Sequence, residues 1–209
     1  MSLNPPRKIP NTKISYRALL GESQWHKLHP LVQKRFGDDQ NKAVVYQGVM
    51  SEIYLSTMGK LFAQVCRLIG QPLALYEGMN VPMKVHVYEN SILGGMTWDR
   101  FYQYQNKPVN RVKSTKVIQA NGVLVEVVGC GFGMKLNPSE SAGAIVFESD
   151  YFFLQLGKKR IKIPDWLTPG KMTVSQRALS DEWFEFKLDV THKLLGRTYY
   201  QIGQFSESQ

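Results

Sequence analysis

Five short apolar segments follow one another between residues 122 and 164, joined by links too short for anything but antiparallel neighbours. GVLVEVVG (122–129), GFGMKL (131–136), GAIVFES (143–149), YFFLQL (151–156) and KRIKIP (159–164) are rich in β-branched and aromatic residues and bounded by Gly, Pro, Asn and Ser, which is how strands and turns read. NPSES (137–141) reads as the turn after the second segment. Gly157, with Lys158, forms the link of the last pair, where glycine supplies the positive φ of a type II′ hairpin. A parallel pair would need a crossover of a dozen or more residues. In 122–129, Val123, Val125 and Val127 point one way and Leu124, Glu126 and Val128 the other. Both faces are therefore largely apolar, and such a sheet must be covered on both sides or curl around something. Gly129, Gly131 and Gly133 at alternate positions permit a sharp bend.

The rest of the chain supplies more strands and a few helices. Period-2 alternation is cleanest in WFEFKLDV (183–190), with Phe184, Phe186, Leu188 and Val190 on one face. Strand composition also marks 43–55, 84–89, 96–104 and 196–205, and Gly94-Gly95 turns the chain between two of these. Residues 14–20 and 29–36 read as short helices, the second with Pro30 in its first turn and Gly37 at its end. In 57–69, Met58, Leu61, Phe62, Val65, Leu68 and Ile69 recur at helical spacing, and Gly70 with Pro72 stops the run. Core packing is the favoured reading of that stripe, and adsorption to a membrane surface the alternative. The expected fold is α+β: a strongly curved antiparallel sheet of about eight to ten strands, a half-barrel or open barrel, gripping one long amphipathic helix and the N-terminal helices. With no repeat or linker, residues 1–209 read as a single domain, 1–12 as an extended arm and 206–209 as a frayed tail.

No run of residues approaches the ~20 apolar positions that span a bilayer, and no signal core opens the chain. Two cysteines, Cys66 and Cys130, are too few for a disulfide framework and agree with a cytoplasmic location. An excess of 26 Lys and Arg over 17 Asp and Glu gives a net charge of +9 and a far field that attracts anions. The basic residues are spread along the chain, so nucleic-acid binding requires 107–116 and 158–162 to merge into one stripe.

No spacing for a metal, a serine nucleophile or a phosphate loop is present, and Gly129-Cys130-Gly131-Phe132-Gly133 lacks the third glycine of a dinucleotide loop. Neither a catalytic set nor a cofactor or metal is expected. More informative are polar groups on apolar faces. Met96, Trp98, Arg100, Tyr102 and Tyr104 share one side of a strand, and an arginine among aromatic rings can hold a carboxylate or phosphate. Glu126 and Glu148 lie among apolar neighbours and must find a cation or hydrogen bonds. Pairing with Arg100 is the structural alternative.

Trp25-x-x-Leu28 with Pro30 and Val32 to Phe36, Pro72-Leu73, Trp98-x-Arg100-Phe101, Gly143-Ala144 leading to Phe147, Pro164-x-Trp166-Leu167 with Pro169-Gly170, and Leu194-Leu195-Gly196 before Tyr199 to Phe205 resemble the bacterial family catalogued as domain of unknown function 4166. The resemblance implies single-domain proteins without assigned activity, some fused behind a nucleotide-binding, saccharopine-dehydrogenase-like domain. It thus implies a nucleotide-binding oxidoreductase as a possible partner and no catalytic residues.

These readings converge on a noncatalytic module that binds an amphipathic, anionic small molecule, fatty-acid or lipid-like, in a concave apolar pocket. Trp98, Arg100, Tyr102, Glu126, Tyr151 and Tyr199 are the expected ligand-binding residues. An enzyme or accessory subunit of a redox system is the alternative, which a buried His86 or His192 beside Glu126 or Glu148 would favour. Nucleic-acid binding through the basic surface ranks third.

Overall fold

The computed structural model describes residues 14–37, 43–70, 73–157 and 159–208. The expected N-terminal arm, Pro72, Lys158 and Gln209 lie outside them. Three short helices, α1 (Tyr16–Leu20), α2 (Glu22–Trp25) and α3 (Pro30–Phe36), precede β1 (Val44–Leu55) and α4 (Thr57–Cys66). Then come β2 (Gly78–Glu89), β3 (Met96–Tyr102), β4 (Asn110–Ile118), β5 (Leu124–Gly129), β6 (Phe132–Ser141), β7 (Ala144–Leu156) and β8 (Lys159–Lys162). Strands β9 (Lys171–Ala178), β10 (Trp183–His192) and β11 (Gly196–Glu207) complete the chain.

The sheet does not stay open. Its strands run in the order β6-β5-β4-β3-β2-β1-β11-β10-β9-β7, and β7 pairs back onto β6, which closes a ten-stranded antiparallel barrel with β8 as an extra strand on β7. This corrects the expected open or half-barrel α+β sheet. Closure leaves the ring without free edges. It depends on β1 and β11, distant in sequence, where Tyr46 lies opposite Glu207 and Leu55 opposite Tyr199. That pairing holds Ser206 and Glu207 in register, where a frayed tail was expected.

Two strands read as separate, 143–149 and 151–156, are one. β7 pairs with β6 and β9 in its first half and with β6 and β8 in its second. NPSES is strand rather than turn, and Ala142 with Gly143, both at positive φ, turns the chain instead. β4 and β9 carry polar residues on their outward side and were missed as strands.

The expected long amphipathic helix is also absent. Residues 57–66 form α4, a 3-10 turn takes over at Arg67–Ile69, and Gly70 at φ 111° ends the segment. Ser56 caps α4 by accepting from the Gly59 amide. Gly59 lies directly on the Thr198 carbonyl, and Gly70 on the backbone of Val128 and Gly129. The segment therefore reaches from the start of β11 to the end of β5, halfway round the ring, as a bar across one end of the barrel. Only Gly59 and Ala63 of α4 are buried.

The opposite end is filled by α1–α3. His29 caps α3 through Nδ1, which accepts from the Leu31 amide, and Pro30 occupies its first turn. Tyr16, Leu20, Trp25, Leu28, Val32 and Phe36 are buried in one core with the inward residues of the barrel. Tyr16 meets Phe36 and Phe147 edge-on at 5.1 and 5.7 Å, a geometry that adds to their burial. The Arg35 guanidinium carbon lies over Phe184, 3.1 Å from the ring centroid, and 4.6 Å from that of Tyr46.

Candidate binding cavity

Beneath α4 the barrel encloses a cavity of about 240 Å³. Its upper wall is apolar: Phe62, Val65 and Ile69 come from the bar, Phe152 from β7, and Ile163 and Leu167 from the segment leading to β9. Alternation places every second residue of each strand inside. Arg100 and Tyr102 of β3, Ser114 and Lys116 of β4, Glu126 of β5, Gln176 of β9 and Tyr199 and Gln201 of β11 make the polar floor.

Two pairings order that floor. Lys116 and Glu126 are direct neighbours across β4 and β5, both buried, with Nζ 3.2 Å from Oε2. Burial disfavours the Glu126 carboxylate, but Lys116, Arg100 and the Ser114 hydroxyl outweigh it and hold the group below the usual carboxylate range. Burial, with the Arg100 charge, lowers Lys116 against the attraction of Glu126. The ammonium also lies 4.3 Å from the Trp98 ring centroid. In the second pairing, the hydroxyls of Tyr102 and Tyr199 both donate to Gln201 Oε1, at 3.0 and 3.1 Å. Burial raises both phenols above their ordinary range, so they stay neutral.

Arg100 lies near both pairs, close enough for its charge to act on Glu126 and Lys116, but makes no salt bridge of its own among the described residues. Its Nη1 donates to Ser114 Oγ at 3.1 Å, the one hydrogen-bond partner of the guanidinium among the described residues. A guanidinium has five N–H donors, and the described residues pair Nη1 alone, while the side chain lines both this cavity and a smaller void beside it. Gln176 Oε1, buried on β9 across the ring from β3, has no hydrogen-bond partner among the described residues. With all three groups ionised, Arg100, Lys116 and Glu126 leave one positive charge on the floor.

Of the residues singled out in the sequence, Arg100, Tyr102, Glu126 and Tyr199 come together around this cavity. Trp98 lies deeper, against a second void of about 20 Å³ that also touches Arg35, Arg100 and Gln176. Tyr151 is outside. The register between β6 and β7 slips where Met134 faces Phe152 and Leu136 faces Ser149, which leaves an extra residue on β7 and reverses which side its later residues face. Phe152 thus lines the cavity while Tyr151 meets Lys162 on the outer face. Glu148 is outward too, paired with Lys171.

Lys116 was missed. A two-residue turn at Asn121-Gly122 would have set Val117 opposite Glu126; instead the Gln119 amide donates to the Val123 carbonyl, and the link of three residues, Ala120 to Gly122, shifts the register by one and places Lys116 there. The buried histidine proposed as a mark of catalysis is elsewhere: His192 Nδ1 accepts from the Leu194 and Leu195 amides, and His86 sits exposed against Phe101. Of the basic residues in 107–116, Lys116 points inside, while Lys107, Arg111 and Lys113 are exposed. No group of three or more His, Cys, Asp or Glu among the described residues is placed to hold a metal ion. No helix there is long and apolar enough to cross a membrane.

No curated protein and no solved structure gives a significant match. A family model does, described as a domain of unknown function, and it covers residues 28–205, from the buried Leu28 before α3 to the closing strand β11. The chain therefore belongs to the family named domain of unknown function 4166.

Proposed function

We propose that the barrel is a noncatalytic binding module, acting in the cytoplasm, for an amphipathic anion with a fatty-acid-like tail. The observation that carries this reading is Arg100, a cation inside an apolar cavity with most of its donors unpaired by the protein. An unpaired polar group in such a place is costly, and a carboxylate satisfies a guanidinium with two parallel hydrogen bonds. The neighbouring Lys116 is already engaged by Glu126, which leaves Arg100 as the anchor. A tail attached to that head group would rise past Val112, Val128, Phe132 and Phe152 towards α4. The volume falls below the ~300–1,000 Å³ of drug-sized sites, which suits one slender chain. Two free cysteines, Cys66 and Cys130, agree with a reducing compartment.

Titration calorimetry with laurate and with methyl laurate tests the anchor. Arg100→Ala should weaken laurate at least tenfold, in line with the ~1.5–3 kcal/mol of a hydrogen bond to a charged group, and leave the ester nearly unchanged. Equal losses for both would remove Arg100 from the role.

A further inference from the structure

Apolar side chains that escape burial are not scattered over the barrel. Of the sixteen large hydrophobic residues exposed among the described residues, nine lie on four segments around the end that α4 spans. Leu61, Val65 and Leu68 are on the bar, Leu156 and Ile161 on the β7–β8 hairpin, Trp166 and Leu167 on the segment before β9, and Leu194 and Leu195 on the β10–β11 turn. Leu68 is 82%, Leu194 85% and Trp166 66% exposed. Contacts of backbone and side chains place these segments together. Gly59 rests on Thr198, the Thr198 hydroxyl donates to the Pro169 carbonyl, Lys193 reaches Asp165, and the Gln155 amide donates to Gly131 beside the point where Gly70 meets Gly129.

We infer that this rim is a docking surface for an anionic lipid bilayer, from which the cavity is loaded. The charge of the rim supports that partner. Its segments carry Lys60, Arg67, Lys159, Arg160, Lys162 and Lys193 against Asp165; Lys60 pairs with Glu77 and Lys193 with Asp165, which leaves the rim positive. Basic residues interspersed with exposed leucines and a tryptophan are the composition of surfaces that lie in the interface of acidic membranes. Several of the same residues line the cavity from above: Val65 and Leu167 are half-exposed on one side and face the interior on the other. A bilayer seated there would meet the mouth directly, and an acyl chain could pass inside without crossing water. The proposal rests on the reading of the barrel as a container for an amphipathic anion.

Sedimentation with vesicles separates the two ideas. Intact protein should pellet with phosphatidylcholine vesicles containing one quarter phosphatidylglycerol, and at least tenfold less with phosphatidylcholine alone. Leu68→Glu combined with Trp166→Glu, both at exposed sites, should reduce binding to the acidic vesicles tenfold or more while laurate binding in vesicle-free buffer is kept. Arg100→Ala should do the reverse. Wild-type protein that stays in the supernatant with the acidic vesicles, or a double variant that pellets like wild type, would overturn the docking surface. Lost laurate selectivity with normal vesicle binding would affect only the anchor.

Discussion

The two ends of the barrel use similar sequence material differently. At the closed end, α1–α3 contribute six buried apolar residues, Tyr16, Leu20, Trp25, Leu31, Val32 and Phe36, with Tyr16 edge-on and Phe36 tilted against Phe147. At the other end α4 buries only Gly59 and Ala63 and leaves Leu61 and Val65 half-exposed. The lesson concerns what an apolar stripe is for. Short helices that dive into a barrel seal it, whereas one laid across the opening and held at its tips leaves space below and exposed apolar surface above.

The contrast predicts unequal costs for the same substitution. Phe36→Ala at the sealed end should destabilise the protein by about 3–5 kcal/mol, the range for a buried phenylalanine. Phe62→Ala, at the roof of an existing cavity, should cost about 1 kcal/mol, because the space it leaves joins one already present. Urea unfolding of the two variants makes the comparison; similar losses would mean that α4 is as firmly integrated as the plug.

A smaller effect sharpens the role of the charged floor between the ends. Glu126→Ala strands the buried Lys116 and should cost about 3 kcal/mol, whereas Lys116→Met with Glu126→Leu should be neutral or stabilising, since breaking a buried pair costs more than replacing it. Unfolding curves of the single and double variants decide it, and an equal loss in both would show that the pair itself stabilises the fold.

The smallest expected effect is on pH. Glu126 is held below its ordinary range in the folded state, so its contribution is complete above the unfolded carboxyl pKa of about 4.3 and lost as pH falls through the depressed folded value. The acid limb of stability should therefore be shallower in the double variant than in wild type. Acid titrations followed by circular dichroism would reveal an unchanged limb if other carboxylates dominate.

Local patterning carried much of this architecture. The period-2 run in β10 and the shared face of Arg100 and Tyr102 were legible because a strand's alternation is written in its own residues. Glu126 was conspicuous for the same reason, as a charge on an apolar face. What escaped depends on distant or subtle partners. Barrel closure needs β1 to find β11 and β7 to return to β6, and neither leaves a local mark. Tyr151 went to the wrong side because one extra residue in β7 inverts the parity after Ser149. The helical spacing in 57–69 could not say that the helix would stop at Cys66 or that the stripe would divide, with Phe62, Val65 and Ile69 over the cavity and Leu61 and Leu68 outside, because Gly59 and Ala63, the smallest side chains, are what the barrel backbone admits.

The pairing of β1 with β11 also bears on how the chain comes off the ribosome. β1 can zip to β2 as soon as Glu89 emerges, yet its second edge has no mate until Gly196–Glu207 follows. At the ~5–20 residues per second of synthesis, that edge stays open for on the order of ten seconds, a window in which a nascent strand invites pairing with neighbours or the attention of a chaperone.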